Sequence, residues 1–229
     1  MKLQALFENP HEENILDWFV KCALYKNAVY GGENQSRFNS RKKEYEESGL
    51  SPYEFFKKSN NGTFDKEEVD TIMGLKISGG KVSMSAFVIR DLDEVGPPPF
   101  VFEEIDRAFV IMSSKKLTKT EPWFPRKAGF IRISSCPNFS LSGIDKRVKE
   151  CEELGIVGDN TKGGVLGLLK IKGLNFVRLD LPDQSAERGE LLSDIVMEHL
   201  SAAKDYNGGD IMDCQSELID EGFEEFAKL

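Results

Sequence analysis

The sequence predicts an α+β protein: an antiparallel β-rich core, barrel or sandwich, flanked by N- and C-terminal helices. Three observations predict it. Apolar residues recur at helical spacing before residue 64 and after residue 182, short β-patterned runs fill the stretch between, and Gly-Gly pairs and prolines punctuate those runs. The matching division is a helical region over 1–64, a β-rich core over 65–182 and an acidic helical region over 183–229. A chain of 229 residues is long enough for one sizeable core.

Taken in order, Ile15, Leu16, Phe19, Val20, Ala23 and Leu24 share one helical face after Asn9-Pro10, and Gly31-Gly32 breaks that pattern. Ser51-Pro52-Tyr53-Glu54 has the form of a capping box with proline at the first helical position, so a short helix carrying Phe55 and Phe56 is expected. Asn60-Asn61-Gly62 marks a loop. The period then changes. Runs at 71–77 and 82–89 flank Ser78-Gly79-Gly80-Lys81, whose glycines reach positive φ without strain, which predicts a hairpin. Gly96-Pro97-Pro98-Pro99 predicts a stiff extended connection. Further strands are expected at 100–104, 108–113, 129–135, 165–171 and 175–181. Ile144, Val148, Cys151 and Leu154 sit at helical spacing, with Gly155 placed to end that helix. Beyond Pro182, the stripe Leu191, Leu192, Ile195, Val196, His199 and Leu200 predicts a helix. Asn207-Gly208-Gly209 separates it from a last acidic helix over 211–226. No internal repeat or low-complexity tract is apparent.

The net charge of −9 conceals a segregation. Residues 1–64 are balanced, and residues 65–109 carry 5 basic against 10 acidic side chains. Residues 110–180 carry 13 basic against 7 acidic, and residues 181–229 carry 3 against 13. The chain thus has a basic middle and an acidic tail. No apolar run reaches transmembrane length and the first eight residues lack a signal-peptide core, so a cytoplasmic location is expected, with peripheral membrane contact left open. Cys22, Cys136, Cys151 and Cys214 have no paired spacing and read as free thiols. With His11 and His199 they assemble no zinc motif, and no cofactor is expected.

Enzyme signatures are mostly missing. There is no nucleophile elbow, P-loop or dinucleotide fingerprint, and Gly163-Gly164-Val165-Leu166-Gly167 reads as a turn opening a buried strand. Two constellations remain. The carboxylates Asp91, Asp93, Glu94, Glu103, Glu104 and Asp106 lie where strand ends could present oxygen ligands to Mg²⁺, with Asp91, Asp93, Glu103 and Asp106 as the candidate set for a metal-dependent phosphodiesterase or nuclease. The alternative is a solvated, charged strand edge. Lys115, Lys116, Lys119, Trp123, Phe124, Arg126, Lys127, Arg132, Lys146, Arg147 and Lys149 interleave positive charge with aromatics, which suits single-stranded nucleic acid: cations meet phosphates while bases stack on rings. Against that stands inward packing of Trp123 and Phe124. A third reading is a structural or adaptor protein acting through protein contacts or self-association, with Pro97-Pro98-Pro99 and the acidic C-terminal helix as contact points.

Three features of the centre go together: Met73-Gly74-Leu75-Lys76-Ile77-Ser78-Gly79-Gly80-Lys81-Val82 as a first hairpin, a strand from Phe100 ending at Asp106, and an apolar strand running into Pro137-Asn138-Phe139 with Asp145 beyond. Read in this order, residues 74–180 resemble the tobamovirus-like superfamily of plant-virus cell-to-cell movement proteins. The resemblance implies a non-enzymatic viral protein that binds single-stranded nucleic acid and acts at host-cell plasmodesmata. In it Asp106, Pro137, Asn138, Phe139 and Asp145 would be structural, and the basic residues from Lys115 to Lys149 would meet phosphate.

Overall fold

From Lys81 to Leu179 the strands all run the same way. The computed structural model describes residues 14–15, 17–19, 21–22, 28–29, 42–51, 54–55, 76–158, 161–181, 186–202 and 209–229. Its elements are β1 (Ala28–Val29), α1 (Lys42–Ser48), β2 (Lys76–Ser78), β3 (Lys81–Arg90), α2 (Leu92–Val95), β4 (Val101–Met112), β5 (Lys127–Ser134), α3 (Ile144–Arg147), β6 (Glu150–Val157), a 3-10 helix (Leu166–Lys170), β7 (Phe176–Leu179), α4 (Ala186–Ala202) and α5 (Gly209–Asp220). The α+β composition is as expected. The antiparallel core is not: β3, β4, β5, β6 and β7 pair in sequence order and in parallel, and only β1 and β2 lie antiparallel, both on β3. Among the described residues this is one sheet of seven strands with no closing pair, rather than a barrel or a sandwich.

The parallel strands repeat. Phe87, Phe109, Ile131, Leu154 and Val177 lie in one register row, and Ile89, Ile111, Ile133, Ile156 and Leu179 in another. All ten are buried, and the step along the chain is 22, 22, 23 and 23 residues. Each of β3 to β6 is left through a residue with positive φ at the same place: Asp91 (55°), Ser113 (58°), Ser135 (53°) and Gly158 (77°). Aspartate and serine tolerate that region better than bulky residues do. One residue later a side-chain ladder begins. Ser114 Oγ accepts the Leu92 N–H at 2.9 Å, and Cys136 Sγ accepts the Ser114 N–H at 3.5 Å. The sequence reading of no internal repeat is therefore corrected: residues 81–179 form a parallel solenoid. Each coil carries an apolar-x-apolar strand, with the polar ladder running between coils.

Ser114 is fully buried, so its ladder bond has no water to replace it. Ser114→Ala should lower stability by about 1–3 kcal/mol through the stranded Leu92 N–H. The expected readout is a lower urea midpoint at unchanged slope; an unchanged midpoint would rule the ladder out as a stabilising device.

Both ends of the solenoid are covered, as solenoid ends must be for solubility. At the first coil the helical residues Trp18, Phe19 and Lys21 bring Phe19 onto Phe100 (5.2 Å between centroids), the Trp18 indole N–H to the Gly96 carbonyl (3.1 Å) and Lys21 Nζ to the Val95 carbonyl (3.0 Å). At the last, α4 lies along β7. Ser193 Oγ accepts the Leu179 N–H at 2.9 Å and donates to the Gly189 carbonyl at 2.8 Å. A Cβ at Gly189 would stand 2.9 Å from the Leu179 carbonyl, so only glycine lets the helix come this close. Buried side chains from Ile15 to Ala227 form one continuous core cluster, with Phe55 and Val110 outside it.

Several local expectations hold. Gly79 (φ 56°) and Gly80 (φ 74°) turn β2 into β3 with Ser78 opposite Lys81. The capping box forms, with the Ser51 N–H on Glu54 Oε2 and the Glu54 N–H on Ser51 Oγ, both 3.2 Å. In α4, Leu192, Ile195, Val196 and Leu200 are buried. Others change. The strands expected at 100–104 and 108–113 are one strand, β4, irregular in register between Ile105 and Ala108. The expected strand 165–171 is the 3-10 helix, because a short apolar run is buried equally well in either form. The expected helix through Ile144 and Leu154 stops at Arg147. Cys151 and Leu154 are in β6, and Gly155 is mid-strand. The last helix ends at Asp220, and the chain continues irregularly with Phe223 and Phe226 buried. Leu16, Val20, Ala23, Leu24, Gly31-Gly32, Pro52, Phe56, Asn60-Asn61-Gly62, residues 71–75 and Asn207-Gly208 lie outside the described residues, as does His11.

Candidate protein-binding face

Alternation along each strand sends one set of side chains into the core and the other to the opposite, outer face of the sheet. Register sorts the outer set into rows. One row reads Ala86, Ala108, Phe130, Glu153, Phe176, and the next Val88, Val110, Arg132, Gly155, Arg178. A lower row pairs Glu104, Lys127 and Glu150, with Lys127 Nζ 3.2 Å from Glu104 and 3.3 Å from Glu150. Hydrogen bonding to Glu104 and then Glu150 raises the Lys127 pKa above its ordinary value. Arg132 is exposed and its side chain makes no hydrogen bond or ion pair among the described residues, whereas Arg178 Nε is held at 3.0 Å by Asp180. Gly155, between the two arginines, leaves a gap in the row. Phe176 is 46% exposed, high for a phenylalanine.

Two hollows adjoin the sheet. A groove of about 600 Å³ lies along Pro97, Pro98, Pro99, Phe100, Leu117 and Trp123. A cleft of about 610 Å³ opens where the outer edge of β7 meets α4, between Phe176, Arg178 and Asp180 on one side and Glu190, Asp194 and Met197 on the other.

The basic residues expected to bind nucleic acid are dispersed. Lys115 and Lys116 are exposed after β4, where Asp93 accepts their backbone N–H groups at 2.8 and 3.0 Å. Lys119 is exposed at an isolated bridge to Ser140, Lys146 is exposed on α3, and Arg126 lies 3.8 Å from Glu103. Lys127 and Arg132 are on the outer face. Lys149 Nζ donates to the Asp145 carbonyl at 2.6 Å. Arg147 is structural: it donates from Nε to the Phe124 carbonyl at 2.6 Å and from Nη2 to the Phe102 carbonyl at 2.8 Å, and burial lowers its pKa. Trp123 is 6% exposed and Phe124 fully buried, packed together against Phe109, so neither ring is free to stack on a base.

The carboxylates do not converge. Asp93 is engaged by Lys115 and Lys116, Glu103 by Lys81 at 3.2 Å, Asp91 ends β3 in its left-handed turn, and Asp106 is exposed at the β4 irregularity. Among the described residues no group of three or more His, Cys, Asp or Glu is placed to hold a metal. The Pro137-Asn138-Phe139 segment is a coil turn. Asn138 Nδ2 donates to the Lys115 carbonyl one coil earlier at 2.8 Å, and the buried Phe139 ring stacks on Phe124 at 6.0 Å. Asp145 opens α3, with Lys170 Nζ 3.9 Å away.

The thiols and His199 are engaged within the fold. None of the four cysteines is in a disulfide and all are buried, and burial pushes Cys151 and Cys214 up to about 12. His199 Nε2 is paired with Glu217 at 2.8 Å between α4 and α5. Because the unfolded thiols ionise near 9.0 and the folded ones near 12, stability should be complete below pH 9 and fall as pH rises towards 12. Native protein at pH 8 should accordingly resist iodoacetamide at these two positions; rapid labelling without unfolding would contradict their burial.

Sequence reasoning missed Phe130, Glu153, Phe176 and Arg178. Their signal was the step of 23 residues from Phe130 to Glu153 to Phe176 and from Arg132 to Gly155 to Arg178. No helix among the described residues is long and apolar enough to cross a membrane. Comparison of the chain with protein-family models, curated proteins and solved structures gives no match.

Proposed function

We propose that the protein is a non-enzymatic binding scaffold that engages another protein through the outer face of its parallel sheet. The observation supporting this reading is the composition of that face. In-register rows set Phe130, Phe176, Arg132 and Arg178 beside Ala86, Ala108 and Gly155. Aromatic and arginine side chains anchor protein interfaces, small neighbours let a partner approach the sheet, and capped solenoids use such extended surfaces for binding.

The test is capture by tagged full-length protein followed by cross-linking. Cross-links from a captured protein should map to Lys127 and to Lys172, which continues the lower row through its bridge to Glu150, and Phe130→Glu with Arg132→Glu should cut capture about tenfold. Equal capture by a folded double variant would sink the reading. Single-stranded nucleic acid is the competing partner, favoured by the exposure of Lys115, Lys116 and Lys119 on one stretch of chain. It predicts retention on RNA that falls steeply with salt and disappears when those three lysines become glutamate.

A further inference from the structure

The outer face is not uniform in charge. In the row Phe130, Glu153, Phe176, strand spacing sets the two aromatic positions about 10 Å apart with a carboxylate between them. Glu153 is exposed and forms no ion pair or hydrogen bond through its side chain among the described residues. The same is true of Glu190 and Asp194 on the facing side of α4. Arg178, the basic side chain lining the cleft, is already matched by Asp180, whose other oxygen takes the Gly158 N–H at 2.9 Å. The unpaired Arg132 stands two strands away from β7, about 10 Å off. The cleft therefore offers a half-exposed aromatic ring, an aliphatic wall from Met197 and uncompensated negative charge from the α4 side.

We propose that this cleft receives a basic segment of a partner protein, a Lys or Arg flanked by apolar residues. The aliphatic stem lies along Phe176, the cationic head reaches Glu190 and Asp194, and the ring face adds attraction for the cation. Polyphosphate chains are excluded by the same carboxylates. The assignment rests on the sheet-face reading and supplies the partner chemistry for its β7 edge.

The experiment selects displayed random peptides on the full-length protein and measures the best-enriched peptide by fluorescence anisotropy against wild type, Glu190→Lys/Asp194→Lys, Phe176→Ala and Arg132→Glu. All four positions are exposed, and circular dichroism confirms that each variant folds. Enrichment of Lys or Arg beside apolar residues is expected, with affinity about tenfold weaker in the double charge reversal and reduced in Phe176→Ala. Basic peptides indifferent to the reversal overturn the cleft assignment. Acidic or neutral peptides lost only with Arg132→Glu also overturn it, yet leave the sheet-face reading standing. Binders indifferent to every variant remove both.

Discussion

Phe109→Ala is expected to lower unfolding free energy by about 3–5 kcal/mol. Phe109 is fully buried in the middle of an inner row, with Phe87 at 5.8 Å, Phe102 at 5.6 Å and Phe124 at 5.2 Å between centroids. These rings come from its own coil and the preceding one, so truncation opens a void at a coil interface. In a solenoid such interfaces carry most of the stability, because each coil touches only its neighbours. Guanidinium denaturation gives the value, and Phe176→Ala, on the outer face, serves as a control expected within about 0.5 kcal/mol of wild type. A loss below about 1 kcal/mol for Phe109→Ala would contradict a continuous core.

Gly164→Val should cost about 3 kcal/mol, and for a different reason. A Cβ at Gly164 would occupy the space of the Lys228 carbonyl, which is backbone and cannot swing aside. The terminal segment is held there by the Val165 N–H on the Phe226 carbonyl at 2.9 Å and the Leu166 N–H on the Lys228 carbonyl at 3.3 Å. Arg188 clamps it further, with its guanidinium 4.1 Å above the Phe223 ring. Displacing this segment uncovers Phe223, Phe226 and Ala227. A chain ending at Asp220 should be comparably destabilised, and adding Gly164→Val to it should cost little more, since the clash partner is gone. Full additivity of the two changes would refute the mechanism.

What the sequence made legible was local. The Ser51–Glu54 box, the Gly79-Gly80 turn and the apolar stripe of α4 depend on residues a few positions apart, and each formed as expected. Strand direction was not legible, because a buried parallel strand and a short apolar run look alike without their partners. The repeat was hidden by degeneracy. Its ladder positions are Leu92, Ser114 and Cys136, its inner rows mix Phe, Ile, Leu and Val, and its step changes from 22 to 23 residues. Ile144, Val148, Cys151 and Leu154 satisfied a helical period only because a coil turn and the start of a strand happened to share it. The candidate face suffered most. Phe130, Glu153 and Phe176 are neighbours only across strands, whereas Trp123, Phe124 and the nearby basic residues are neighbours in sequence that the fold separates into core and surface.

The uniform coil length also bears on how quickly the chain finds its fold. Parallel sheets are usually slow to form, because each pairing must close a long and variable loop. Here the parallel pairings from β3 to β7 close loops of 20 to 23 residues, about a tenth of the 229-residue chain. Closure entropy rises only as the logarithm of loop length, so successive coils face nearly the same, modest barrier. Once any two adjacent coils have met, the rest zip outward along the chain in either direction. Refolding should therefore be fast for so parallel a sheet, and its rate-limiting event is the first pairing of neighbouring coils rather than the assembly of distant segments.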